Sequence, residues 1–198
     1  MNKYIYIIIS AILFLALGAS WVIEKANSSH SLNIIKPVPK FSFLNQNGET
    51  FTENELIGKI SIVDFIFTNC PGPCPIMSNN MNEIYKDYKE VDLVQFISIT
   101  VDPKNDNISK LKQYSNSYKI NDNRWQFLTS EINKIKDLKQ NGFMLYAGEL
   151  PQAHAIKFIL VDHNGNIRQY YDGTDKASMA VLRKDIQFLL KENNLIEI

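Results

Sequence analysis

An uninterrupted apolar stretch, residues 60–67, runs into Cys70-Pro71-Gly72-Pro73-Cys74-Pro75, and this junction restricts what the chain can fold into. The stretch is rich in β-branched and aromatic residues and is bounded by turn formers, the pattern of a buried strand that ends at Thr68 or Asn69. Pro75 suits the first turn of a helix, where its missing N–H has no partner to lose, and Ile76, Met77, Asn80, Met81, Ile84, Tyr85 and Tyr88 follow at helical spacing. The only two cysteines of the chain therefore occupy a strand-to-helix loop stiffened by prolines at 71, 73 and 75. Cys74 falls at the helix N-terminus, where the dipole and the unpaired amides favour a thiolate, the nucleophilic and metal-ligating form.

A cysteine pair of this kind has several uses. A structural disulfide is one, although so small a closed loop gains little from chain entropy and structural bridges usually span more chain. Structural zinc is another, but it takes four protein ligands, and no second Cys or His pair stands at matching spacing. The remaining uses are thiol exchange and soft-metal binding.

The 198 residues, less an N-terminal segment, suit one globular domain. The 21 basic and 21 acidic residues cancel, so there is no basic field for nucleic acid. Residues 4–23 carry no charge and reach the ~20 residues that a helix needs to cross a bilayer. We read residues 1–23 as a transmembrane anchor. A signal peptide cut near Ala16 and Gly18 competes, but apolar character continues through Trp21, Val22 and Ile23. Residues 24–40, with Asn27, Ser28, Ser29, Ser31, Pro37 and Pro39, read as a linker, and His30 is a solvated member of it. The domain then spans residues 41–198.

Within it, residues 41–44 and 49–51 flank Asn47-Gly48, a strong hairpin signal. Residues 52–57 form a short helix stopped by Gly58. After the cysteine loop comes the helix from Pro75 to about Lys89, then an apolar strand over residues 92–101, so this part is a βαβ unit with a parallel pair. Residues 102–106 turn; Ile108, Leu111, Tyr114 and Tyr118 mark a helix; residues 125–128 are a strand; Ser130 caps a helix to about Gln140. Residues 156–161 and 167–171 flank the turn at His163-Asn164-Gly165-Asn166 as an antiparallel pair, and a helix from Asp175 to about Asn193 closes the domain. A cysteine pair at the first βα junction of such a sheet is the thioredoxin-like plan.

The cysteine motif resembles that of the Sco/SenC family, membrane-tethered thioredoxin-like proteins that handle copper for cytochrome c oxidase. Three residues rather than two separate the cysteines, and a proline follows each. The resemblance extends through Ile99-Thr100-Val101-Asp102-Pro103 and through the stretch from His154 to Asp162, covering roughly residues 37–192. It implies an α/β, thioredoxin-like fold with a central mixed sheet, an N-terminal hairpin and an N-terminal transmembrane anchor. It also implies a copper ion held by Cys70, Cys74 and His154, a copper-receiving subunit of cytochrome c oxidase as partner, and a domain on the periplasmic side of a bacterial inner membrane. One departure stands out: family members often carry an acidic residue just before the histidine, and here Gln152 and Ala153 precede it. The group that receives the other N–H of the imidazole is then not named by the sequence.

Two thiolates and one imidazole form a soft, three-coordinate set suited to copper. Met77, Met81 and Met144 are core filler on this reading, Asp102 is a turn residue, and His163 faces solvent in its turn. Asp64, inside the buried strand, needs a partner that the sequence does not identify. Two functions share the same thiols. One is a copper metallochaperone; the other is a membrane-tethered thiol-disulfide oxidoreductase in which Cys70 and Cys74 are the redox pair. His154 favours the first, since thiol exchange does not require it.

Overall fold

The strand ahead of the cysteines is β4 (Ile60–Ile66), and all seven of its residues are buried. In this computed structural model the described residues are 2–28, 31–120, 122–151 and 155–192, with side chains of the first helix described over residues 6–21. His154, together with Gln152, Ala153 and His30, lies outside the described residues.

β4 pairs in parallel with β5 (Val94–Thr100), and β5 with β6 (Trp125–Leu128). On its other side β4 runs antiparallel to β7 (Lys157–Val161), which pairs with β8 (Asn166–Asp172). The far edge is β1 (Lys36–Pro37), two residues long, giving the order β1-β8-β7-β4-β5-β6. The sheet is mixed, and β4 and β5 are buried along their whole length. The chain therefore joins the sheet at Lys36, before the domain start read from the sequence; Ile35 and Val38 donate backbone bonds to Ile167 (2.8 Å) and Gly165 (2.9 Å).

Parallel neighbours need a crossover. Here α2 (Cys74–Asp87) links β4 to β5 and α3 (Ile108–Ser117) links β5 to β6. Both pack on one face of the sheet: Tyr85 meets Phe96 and Trp125, and Tyr114 meets Phe127. The closing helix α5 (Lys176–Glu192) shares that face, where the Tyr88 hydroxyl donates to the Arg183 carbonyl at 3.0 Å. On the other face the chain passes from α4 (Ile132–Asp137) through a single wider π turn, Leu138–Gly142, to Phe143, which meets Phe65 edge-on at 5.6 Å.

The hairpin is present as β2 (Ser42–Leu44) and β3 (Thr50–Thr52), with Gly48 at φ 80°. Asn45 closes its loop by accepting the Asn47 and Glu49 amides, and Leu44 bridges to Thr129 past the end of β6. That bridge keeps the chain extended to Ser130, so the expected Ser130 cap does not form and Glu131 takes the N-cap position without a side-chain bond. The short helix after β3 is a 3-10 turn, Glu53–Leu56, with a reciprocal Thr52–Glu55 capping box and Gly58 at φ 81° beyond it.

Residues Met1–Asn33 form a separate compact unit built on α1 (Asn2–Ser28). The described side chains of α1 are exposed and largely apolar, including Ile7, Leu13, Phe14 and Trp21. Among the described residues no helix is long and apolar enough to cross a membrane.

Met77 and Met81 are fully buried in α2, one and two turns beyond Cys74. Their place is in the core, as the helical spacing implies. Met77→Ala is expected to cost about 2–5 kcal/mol by leaving a cavity under the first turn of α2, to be read as a lower urea midpoint at unchanged m-value.

Candidate metal centre

Both cysteines are reduced and buried. After Ile66 the chain leaves the sheet in a turn closed by the Cys70 amide donating to the Phe67 carbonyl at 3.3 Å, bends through Pro71, Gly72 and Pro73, and enters α2 at Cys74. Pro73 is the N-cap residue and offers no side-chain cap. Cys74 is 0% exposed and Cys70 8%, so Cys70 is the thiol on the solvent side. Their sulfurs are close enough to hydrogen-bond one another. Gly72 leaves room beside them, since a Cβ there would stand 4.0 Å from Cys70 Sγ.

Burial pushes the Cys74 thiol well above its ordinary range, outweighing a backbone hydrogen bond from Phe67 that pulls it down; Cys70 and Asp64 push it further up. This corrects the expectation of a helix-stabilised thiolate. A helix terminus is worth up to ~2 kcal/mol in favourable geometry, whereas desolvation of a buried group shifts a pKa by several units. In the metal-free protein Cys74 is a neutral thiol, and a soft cation must displace its proton.

Asp64 lies on the same face of the sheet as α2 and is fully buried. Its partner across the parallel register is Ser98, whose hydroxyl oxygen accepts the Trp125 indole N–H at 3.0 Å. Neither Asp64 oxygen makes a hydrogen bond of normal geometry, and Ser98 offsets little of the desolvation that pushes this carboxyl up to about 7. The partner that the sequence left open is thus missing among the described residues.

Beside the loop opens a cavity of about 1020 Å³ lined by Asn69, Pro71, Val101, Pro103, Ile132 and Pro151 among others. Among the described residues no three His, Cys, Asp or Glu side chains converge as a metal site, so the described part of the centre is the thiol pair alone. Asp102 serves its turn, accepting the Asn105 and Asp106 amides at 3.0 and 2.8 Å. His163 is half-buried instead of solvent-facing, with a buried Nδ1 lacking a hydrogen bond, because its turn packs back toward Gly58, whose amide donates to the His163 carbonyl at 2.8 Å. Met144 is not core: it is exposed, at φ 51°.

Two buried polar groups near this region escaped the sequence reading. Lys139, in the π turn, is fully buried; its ammonium donates to the Tyr146 carbonyl, and desolvation lowers its pKa to about 8. Asp106 is fully buried and ties Thr68 to Thr100. Neither breaks the apolar periodicity of a neighbouring strand, so no pattern marks them.

A mixed sheet with two cysteines at the first parallel βα junction defines a thioredoxin-like protein. Residues 33–190 match the model of the SCO1/SenC family, and the chain belongs to that family. A SCO1/SenC family lipoprotein from Bacillus anthracis is 31% identical, with a TM-score of 0.72 over 78% of this chain and 95% of that one. BsSco, a Sco-family cytochrome c oxidase assembly protein with a disulfide switch, is 28% identical with a TM-score of 0.71 over 80% and 96%. Bradyrhizobium japonicum ScoI with copper bound is 25% identical with a TM-score of 0.63 over 75% and 98%.

The native state holds the Asp64 proton up to about pH 7, while the unfolded chain releases it near 3.8. Between those values the native state binds more protons, so stability falls as pH rises and levels off above 7. Asp64→Asn is expected to flatten that slope and to be the more stable protein at pH 8 by on the order of 4 kcal/mol, at ~1.4 kcal/mol per unit. Urea unfolding from pH 4 to 8 measures both.

Proposed function

We propose that this chain is a copper metallochaperone that carries one copper ion as cargo on Cys70, Cys74 and His154 and assists assembly of the copper site in a subunit of cytochrome c oxidase. The observation that supports this reading is the pair of reduced, buried, mutually hydrogen-bonded thiols at the β4–α2 junction, in a family with a copper-bound member. The donor set fits the cargo: two sulfurs from one stiff loop are soft ligands that favour copper(I) over hard cations. His154, placed by its motif ahead of β7, supplies the third ligand on this reading. Three ligands leave the ion exchangeable, as a carrier requires.

Binding releases the thiol protons, so affinity climbs with pH. The raised Cys74 thiol alone implies at least a tenfold gain per pH unit between pH 6 and 7.5. Competition against a chromophoric copper(I) chelator measures it.

The disulfide switch in BsSco supports a second reading, a thiol-disulfide oxidoreductase using the same pair. In that case Cys70 attacks a disulfide of the acceptor, Cys74 resolves the mixed disulfide, and the acceptor leaves with two thiols as Cys70 and Cys74 become oxidised. On either reading residues 4–23 anchor the domain, whose sheet begins at Lys36, at a membrane, outside the cytoplasm. The Bacillus anthracis relative is a lipoprotein, which fits a membrane-held domain.

One variant separates the readings. His154→Ala keeps both thiols, so a carrier is expected to lose copper affinity and oxidase assembly while thiol exchange stays near the wild-type rate. Unchanged copper affinity would remove His154 from the site and favour the oxidoreductase. Cys70→Ser is expected to abolish tight copper binding, and full affinity in that variant would end the carrier reading.

A further inference from the structure

The backbone ladder between β4 and β5 ends where the Val101 amide donates to the Ile66 carbonyl at 2.8 Å. The cysteine loop begins two residues later, at Thr68, whose amide has no strand to pair with. Asp106 replaces the strand: its Oδ2 accepts the Thr68 amide at 3.0 Å, and its Oδ1 accepts the Thr68 hydroxyl at 2.5 Å. The same Oδ2 accepts the Thr100 hydroxyl at 2.6 Å, from the last residue of β5. Asp106 is itself fixed, because its amide donates to the Asp102 carbonyl at 2.8 Å and the Asp102 amide donates to Thr100 Oγ1 at 3.0 Å. The ring of bonds is closed, and it is buried at the carboxylate.

We infer that Asp106 is a positioning residue for the cysteine pair, holding Thr68 against the end of β5 and so setting where Cys70 stands relative to Cys74. A buried carboxylate is a costly way to gain stability, since an apolar replacement of the same volume often serves as well. It is an effective way to gain position, since one group takes three donors from two strand ends. Ala cannot do this, because it removes both oxygens and with them all three bonds. Asn is the milder change: its Oδ1 can keep the Thr68 amide and the Thr100 hydroxyl while its nitrogen donates to Thr68 Oγ1, which can accept.

The inference rests on the cysteine pair as the functional centre, but one arm of its test needs no copper. In a glutathione redox buffer, Cys70 and Cys74 give up two electrons and two protons to glutathione disulfide, forming their disulfide and two glutathione thiols. In the full chain, Asp106→Ala is expected to shift this equilibrium at least tenfold, about 30 mV for the two-electron couple. It is also expected to weaken copper(I) binding 10–100-fold against a chromophoric chelator, the range for supporting groups around metal ligands. Thr68→Val, which removes one donor and keeps the amide, should move both in the same direction by less. Tyr171→Phe is the control, because it deletes a buried hydroxyl donating to Asp185 at 2.5 Å in the β8–α5 contact. It should lower the thermal midpoint and move neither equilibrium. If Asp106→Ala and Thr68→Val also lower only the thermal midpoint, Asp106 is structural and the inference is overturned. If wild type binds no copper(I), the carrier reading fails, and the glutathione equilibrium alone decides the role of Asp106.

Discussion

The parallel pairing of β4 with β5 fixes the height at which the chain leaves the sheet, and the cysteine loop inherits its position from that exit. Parallel strands end on the same side of a sheet, so the turn after β4, the turn after β5 and the start of α2 meet within a few residues of one another. What the ladder cannot supply beyond its last rung, side chains supply. Asp106 closes the gap between the two strand ends on one side, and the buried methionines of α2 seat the first helical turn on the other. A loop of prolines spans the interval. Its stiffness is useful only because both ends are fixed.

The chemistry of the pair is set less by the helix terminus than by depth. Cys74 opens α2 yet has no solvent contact, and a carboxyl with no hydrogen-bond partner among the described residues lies on the same face of the sheet. Both features penalise negative charge when no cation is present. A soft cation offsets that penalty by replacing the proton on sulfur, so the centre is a poor place for a free thiolate and a good one for a metal thiolate. Burial thus separates two properties that a helix N-terminus alone would join, nucleophilicity at rest and affinity for metal.

Most of the fold was legible because its signals are local or periodic. Asn47-Gly48 announced the hairpin, the apolar runs announced β4, β5 and β7, and Pro75 with the spacing after it announced α2. The strand β1 was read as linker because two residues, one of them Pro37, carry no period; only its pairing with β8 makes it a strand. The π turn at Leu138–Gly142 was read as plain helix, since one widened turn barely disturbs apolar spacing. In the candidate site, the cysteines were legible from motif and loop chemistry, while the proposed third ligand, His154, rests on the resemblance and lies outside the described residues. The protonation state of Cys74 was not legible, because a linear sequence shows the helix start but not the depth at which it is set. Asp106 and Lys139 were missed for a related reason. Each is polar in a stretch where polar residues are expected, and only the third dimension encloses it.

The two edges of the main sheet are unlike its centre. One is β1, which offers two residues and a proline; the other is the four-residue β6, past whose end Leu44 of the hairpin bridges to Thr129. A strand whose outer amides and carbonyls are few, or already engaged, cannot template another strand. The long apolar strands most prone to self-association, β4 and β5, are interior. The chain can thus keep a strongly hydrophobic sheet without displaying an adhesive border, and edge-to-edge strand pairing between copies is disfavoured by the architecture itself.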